Sequence, residues 1–107
     1  MDLNRFDLVI VDLDPTVGSE MQKTRPCVVV SPNEANRTIN TVVIIPLTSR
    51  LRDYPSRVPI DTRIGTSHAA VEQIRSIDKS RISKTVGSIT PTEAAALTDV
   101  IRRMYVD

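Results

Sequence analysis

Two short polar segments, Gln22-Lys23-Thr24-Arg25-Pro26 and Pro46-Leu47-Thr48-Ser49-Arg50, lie where apolar runs give way to loops. Arg25 and Arg50 offer planar forks of donors that match the oxygens of a phosphate or carboxylate. Thr48 and Ser49 add hydroxyls that orient such a group by hydrogen bonds, and Pro26 fixes the backbone immediately after Arg25. The stretch that follows adds Arg52, Arg57 and Arg63, with Tyr54 as a ring able to stack. Any one of these reads as a solvated loop side chain. Taken together they make a candidate anion site on the rim of a β-structure.

Other familiar catalytic arrangements are absent from the sequence. There is no glycine-rich phosphate loop, no pair of histidines and no G-x-S-x-G elbow. His68 is the single histidine and reads as structural or as a surface group. Asp12 and Asp14 stand two apart, but Asp14 precedes Pro15 and reads as a turn former. Cys27 lies between Pro26 and three valines, the setting of a small buried hydrophobe and not of a nucleophile. With one cysteine there is no internal disulfide, and no Cys/His spacing suits zinc. No metal and no cofactor is expected.

The elements that must hold these side chains are mostly strands. Phe6–Leu13 is β-branched and ends at the Asp14-Pro15 turn opener. Residues 14 to 24 lack periodicity and form a long, mobile loop, longer than a hairpin needs. Pro26–Val30 and Thr41–Ile45 are continuous apolar runs, as central strands require. Between them Ser31-Pro32-Asn33-Glu34-Ala35-Asn36 offers a cap, a proline at the first helical position and a short turn of helix. Val58-Pro59-Ile60 is a strand confined to an edge by its proline. Ala69–Ile77 reads as one further strand and Thr85–Ile89 as a last short one. Thr90-Pro91-Thr92-Glu93 is a capping box that opens a helix. Ala94, Leu97, Ile101 and Met104 then form its apolar stripe, and Arg102 and Arg103 suit its C-terminal dipole. The expected fold is mostly β, a small curved antiparallel barrel with a C-terminal α-helix.

Length and composition bound the setting. At 107 residues the chain is one domain, residues 1–107, too small to be strongly stable alone, so dimerisation is the cheap way to add buried area. Hydrophobic residues at 40% and charged residues at 25% are ordinary globular values. A net charge of +1 excludes a uniformly basic nucleic-acid coat but not a local patch. The bases are skewed: Lys23, Lys79 and Lys84 are the only lysines, and the other eleven of fourteen are arginines. The start, Met1 to Arg5, shows no signal peptide, apolar runs fall far short of the ~20 residues that span a bilayer, and the lone thiol suits a reducing compartment. A cytoplasmic protein with no membrane association is expected.

Three strings then carry a resemblance. Val11-Asp12-Leu13-Asp14-Pro15-Thr16-Val17-Gly18-Ser19-Glu20, running into Gln22-Lys23-Thr24-Arg25-Pro26-Cys27-Val28-Val29-Val30-Ser31, resembles the signature of the MazF/PemK toxins. So do Pro46-Leu47-Thr48-Ser49 and Gln73-Ile74-Arg75-Ser76-Ile77-Asp78-Lys79-Ser80-Arg81, in the same order and over nearly the whole chain. The resemblance implies an SH3-like barrel of the CcdB/PemK kind, a homodimer, and single-stranded RNA lying across a groove. It implies metal-independent, sequence-specific cleavage of mRNA by attack of the 2′-OH, and inhibition by a MazE-like antitoxin with a disordered acidic segment. By motif match Arg25 and Thr48 take the catalytic positions, and Gln22, Lys23, Thr24, Ser49, Arg50, Gln73 and Arg75 become RNA-binding candidates. For the general base it leaves two acids, Glu72 and Glu20. One branch of the family has an arginine two residues before the first of these, where this chain has Ala70.

Two other functions compete. A CcdB-like gyrase poison shares the fold, but that class depends on tryptophan contacts near its C-terminus, and this chain has no tryptophan and ends Met104-Tyr105-Val106-Asp107. A non-catalytic binding module is the other.

Overall fold

The computed structural model describes residues 2–63 and 65–107. Met1, part of the N-terminal stretch in which no signal peptide is expected, lies outside the described residues. The strands are β1 (Asp7–Asp12), β2 (Thr24–Val29), β3 (Thr41–Thr48), β4 (Arg57–Thr62), β5 (Gly65–Ala70), β6 (Arg75–Asp78) and β7 (Ile82–Ser88). Helix α1 (Asn33–Thr38) joins β2 to β3, and α2 (Pro91–Tyr105) closes the chain. The strands form one antiparallel sheet in the order β4-β5-β3-β2-β1-β7, with β6 also paired to β3, curled into a half-barrel. This is the mostly β fold with a C-terminal helix that the sequence leads one to expect. Among the described residues no helix is long and apolar enough to cross a membrane.

The continuous apolar runs have a direct cause: both faces of the central strands are buried. Alternate residues Val28, Ile45 and Leu47 face one core, which α2 covers, while Cys27, Val29 and Ile44 face another, built with Val9, Val11 and Leu13 of the first strand and its end. The edge position of β4 agrees with Pro59, which lacks an N–H to donate. Thr90 caps α2 through the expected capping box, its Oγ1 accepting from the Glu93 N–H (3.1 Å) while Glu93 Oε1 accepts from the Thr90 N–H (2.9 Å).

Several boundaries differ from the expectation, each for a local reason. The stretch 69–77 is not one strand. Its ladder partners on β3 are Leu47 for Ala69 and Ile44 for Arg75, so residues 70–74 face only Ile45 and Pro46. The surplus coils into a 3₁₀ turn, Val71–Gln73. Near α1, Pro32 is the N-cap and not the first helical residue. Ser31 does not cap the helix; its Oγ donates to Asn36 Oδ1 (2.6 Å) and accepts from the Val43 N–H (3.1 Å), filling a buried polar site. The last strand begins at Ile82, earlier than expected, and Ile89 turns into the core beyond its end.

The apolar stripe of α2 also shifts. Ala94, Leu97 and Val100 are its buried residues, Ile101 packs at the margin, and Met104 is 41% exposed. Leu97→Ala is therefore expected to cost ~2–5 kcal/mol through the cavity it leaves, whereas Met104→Ala should stay within ~0.5 kcal/mol. Chemical denaturation of the two variants checks the assignment, and equal losses would refute it.

Candidate functional site

The polar residues converge where β3 changes partners. Up to the pair Cys27↔Pro46, β2 and β3 are hydrogen-bonded neighbours. Beyond it β2 stays with β1, through Arg25 and Thr24, while β3 pairs with β5 through Leu47 and Thr48. A hollow opens between the parting strands, bordered by Pro26, Leu47 and Ser67. The β2–β3 register, carried two residues further, sets Arg25 and Thr48 across this opening. Both side chains line one larger groove of about 730 Å³, within the size range of small-molecule sites.

Arg25 is half-buried, and its Nε donates to the Gln22 carbonyl (3.0 Å), which fixes the plane of the guanidinium. Its terminal nitrogens have no protein acceptor among the described residues and are left for an anion. Thr48 is buried except for its rim, and its Oγ1 accepts from the Arg50 N–H (3.1 Å), leaving the O–H to donate. The fixed guanidinium and the fixed hydroxyl suit one tetrahedral oxyanion.

The loop between β1 and β2 makes one wall. Its root is closed by the Leu13 N–H on the Lys23 carbonyl (3.0 Å) and by the Lys23 N–H on Asp14 Oδ1 (3.0 Å). Lys23 takes a left-handed backbone there, with φ 70°. Asp14 is thus the turn-forming residue that its place before Pro15 suggests, and Asp12 Oδ1 accepts the Asp14 N–H (3.1 Å). At the loop's far end Glu20 Oε1 accepts the Val17 N–H (2.7 Å). Gln73 reaches across to take the Met21 N–H (3.2 Å), so the 3₁₀ turn staples the loop to the sheet.

Glu72 stands on that same turn and is fully engaged. Arg57 donates Nε (2.9 Å) and Nη2 (2.8 Å) to its Oε2, and Ser56 donates its hydroxyl to Oε1 (2.7 Å). Burial alone would raise the Glu72 pKa, but these hydrogen bonds outweigh it and hold the carboxyl below the ordinary glutamate value. Arg57 is the ladder partner of Ala70. A guanidinium thus stands beside Ala70 on the facing strand, paired with Glu72. Cys27 is fully buried behind Arg25, and burial pushes its thiol up to about 12, so it is a packing residue.

Of the sequence-predicted residues, Arg25, Thr48, Glu20, Glu72, Gln22, Ser49, Arg50 and Gln73 all border the large groove. Lys23 and Thr24 border the neighbouring hollow, which Arg25 and Ser49 share. Arg75 sits behind Glu20 and Gln73, with its Nη1 on the Leu13 carbonyl (3.3 Å). His68 is the ladder partner of Thr48 but turns its Nδ1 to the Arg52 N–H (3.4 Å), bracing the loop after β3. The Ser56–Arg57–Glu72 cluster had no sequence signal, since it joins residues 15 or 16 apart only through the β4–β5 ladder.

The chain is thus a small curled antiparallel half-barrel whose rim gathers arginines and hydroxyls around an open groove. The chain belongs to the PemK-like, MazF-like toxins of type II toxin-antitoxin systems, whose family profile matches residues 4–105. It is 34% identical over 110 residues to the endoribonuclease MazF9 of Mycobacterium tuberculosis, covering 94% of this chain and 93% of that one. It is 36% identical over 89 residues to the endoribonuclease EndoA of Bacillus subtilis, covering 78% and 77%. In fold it is similar to the MazF crystal structure from Deinococcus radiodurans, with a TM-score of 0.85 at 24% identity over 97% of this chain and 96% of that one. It is also similar to a mycobacterial endoribonuclease solved in complex with its cognate antitoxin, with a TM-score of 0.78 at 21% identity over 94% and 92%.

The Arg57–Glu72 pair yields a pH-dependent prediction. Because the folded-state pKa of Glu72 is depressed, its stabilisation is present above the unfolded value of about 4.3 and is lost as pH falls through the folded value. Glu72→Gln should lower stability at pH 7 by ~1–3 kcal/mol, since it leaves the nearly buried Arg57 charge unpaired. Urea titrations should find the difference from wild type shrinking below about pH 4. A difference that is the same at pH 3 and pH 7 would remove the charge from the explanation.

Proposed function

We propose that the chain is an endoribonuclease toxin that cuts single-stranded RNA without a metal ion, with Arg25 and Thr48 acting on the scissile phosphate. The observation that carries this is their placement across the opening between β2 and β3, on one groove. In the reaction the 2′-oxygen attacks the neighbouring phosphorus, the bond to the 5′-oxygen breaks, and a 2′,3′-cyclic phosphate and a 5′-OH result. Arg25 holds the charge that builds on the non-bridging oxygens. Thr48, a poor base at neutral pH, donates to one of these oxygens and fixes the phosphate. Only RNA carries the 2′-OH, so DNA is bound at most.

Proton removal from the 2′-OH falls to Glu20 and not to Glu72. Glu72 spends its carboxylate oxygens on Arg57 and Ser56, whereas Glu20, also on the groove, commits only one oxygen, to the Val17 N–H. The departing 5′-oxygen takes its proton from water. Gln22, Ser49, Arg50 and Gln73 border the path of the strand, with Lys23 and Thr24 at the next hollow and Arg75 behind Gln73.

The single domain of residues 1–107 works as a cytoplasmic homodimer, and the cognate antitoxin covers the groove with an acidic segment. Support for the dimer comes from a second groove of about 730 Å³, more apolar than the first, between Ile10, Leu47 and Val86. Support for the antitoxin comes from the named complex of a structural neighbour.

Purified protein should cut a mixed-sequence single-stranded RNA in excess chelator and leave 5′-OH ends, which sequencing of those ends would map. Arg25→Ala and Thr48→Ala should each lose at least ~100-fold in rate while melting like wild type. Cleavage abolished by the chelator would end the metal-free reaction, and an Arg25→Ala variant with near-normal turnover would move the anchor elsewhere. Gyrase-dependent DNA breaks without RNA cleavage would select the gyrase-poison alternative.

A further inference from the structure

Arg57 borders the groove but is not a phosphate ligand. Its side chain is 7% exposed, Nε and Nη2 are held by Glu72, and Nη1 donates to the Arg50 carbonyl (3.2 Å). With its nitrogens committed to the protein, the guanidinium lies over the face of Tyr54, its Cζ 5.0 Å from the ring centroid. The Arg57 N–H also donates to the Tyr54 carbonyl (3.1 Å), which fixes the backbone of the loop under the ring. Tyr54 is thus an aromatic ring with a rigid cationic backing, and it is still 50% exposed on the groove that holds Arg25 and Thr48.

We propose that Tyr54 is a stacking platform for one unpaired base of the strand lying in this groove, and that Arg57 is the positioning residue that holds it. The proposal rests on the RNA-cleaving reading for the identity of the ligand. A guanidinium, a phenol ring and a nucleobase in sequence make a continuous stack, and an aromatic face serves any base because every base has a π-face. Tyr54 therefore adds affinity without choosing the base. An exposed ring that served only to cover the Arg57–Glu72 pair would leave strand binding unchanged when replaced by leucine.

The test compares wild type with Tyr54→Phe, Tyr54→Leu and Tyr54→Trp, using a 2′-deoxy version of a cleavable single strand, which lacks the nucleophile. Tyr54→Leu should weaken binding on the order of tenfold and raise KM on the RNA itself, with the distribution of cut sequences unchanged. Tyr54→Phe should stay within about twofold. Tyr54→Trp becomes the sole tryptophan of the chain, and its emission should be quenched as the strand binds. The platform is overturned if Tyr54→Leu binds like wild type, if Tyr54→Phe loses as much as Tyr54→Leu, or if the tryptophan emission is unmoved by saturating strand. Wild-type cleavage of the RNA is scored beside it. Binding through Tyr54 without cleavage sinks the endoribonuclease reading alone, and cleavage with an indifferent Tyr54 sinks the platform alone.

Discussion

Strand β3 cannot satisfy its neighbours evenly along its length, and the site is built from that mismatch. On one edge it pairs with β6 through Thr41–Ile44 and with β5 through Leu47–Thr48, leaving Ile45 and Pro46 opposite five residues of the chain between. On the other edge it keeps β2 only as far as Pro46. Backbone groups that leave a ladder must find other partners or face water. One edge resolves the conflict by extruding the 3₁₀ turn that carries Glu72 and Gln73, and the other by opening the gap that Arg25 and Thr48 flank. The two devices meet at the same end of β3, which is why residues from three separate stretches share one groove.

Such a rim needs bracing, because strands that part lose ladder bonds where positioning matters most. The bracing is ionic and local. Arg57 ties β4 to the 3₁₀ turn and to the loop after β3, and Tyr105 of α2 donates its hydroxyl to the Val71 carbonyl (2.9 Å) at the start of that turn. A buried ion pair contributes little net stability compared with apolar packing, yet removing one partner is costly. The Arg57–Glu72 pair is accordingly better understood as fixing geometry than as strengthening the fold. Stability comes from the two apolar layers on either side of β2 and β3.

The same distinction decides how much could be read from the chain alone. The strands, the edge place of Pro59 and the capping box at Thr90 are written in local residue types, and these elements stand where those types put them. Arg25 and Thr48 stand out because the first immediately precedes an apolar run and the second ends one. The division of 69–77 was not visible, since Ala69-Ala70-Val71 and Ile74-Arg75-Ser76-Ile77 carry no breaker; only the register against β3 forces the turn. Likewise Met104 keeps helical spacing with Leu97, but its 41% exposure is set by tertiary packing that the spacing does not record. That Arg57 stands beside Ala70 leaves no trace in either segment, because only the β4–β5 register brings the two together.

Charge placement explains how a chain of net charge +1 can hold a polyanion. Glu72 cancels Arg57, and the uncancelled guanidinium groups on the groove are those of Arg25, Arg50 and Arg52, against Glu20. A field of so few charges is screened within about 8–10 Å at physiological salt, so it acts on phosphates in contact and steers little from a distance. Affinity for a flexible single strand must then come in large part from short-range contacts that do not weaken with salt. A fixed aromatic face is the contact of that kind which this rim offers, and the arginine withheld from the phosphates is the one that holds it in place.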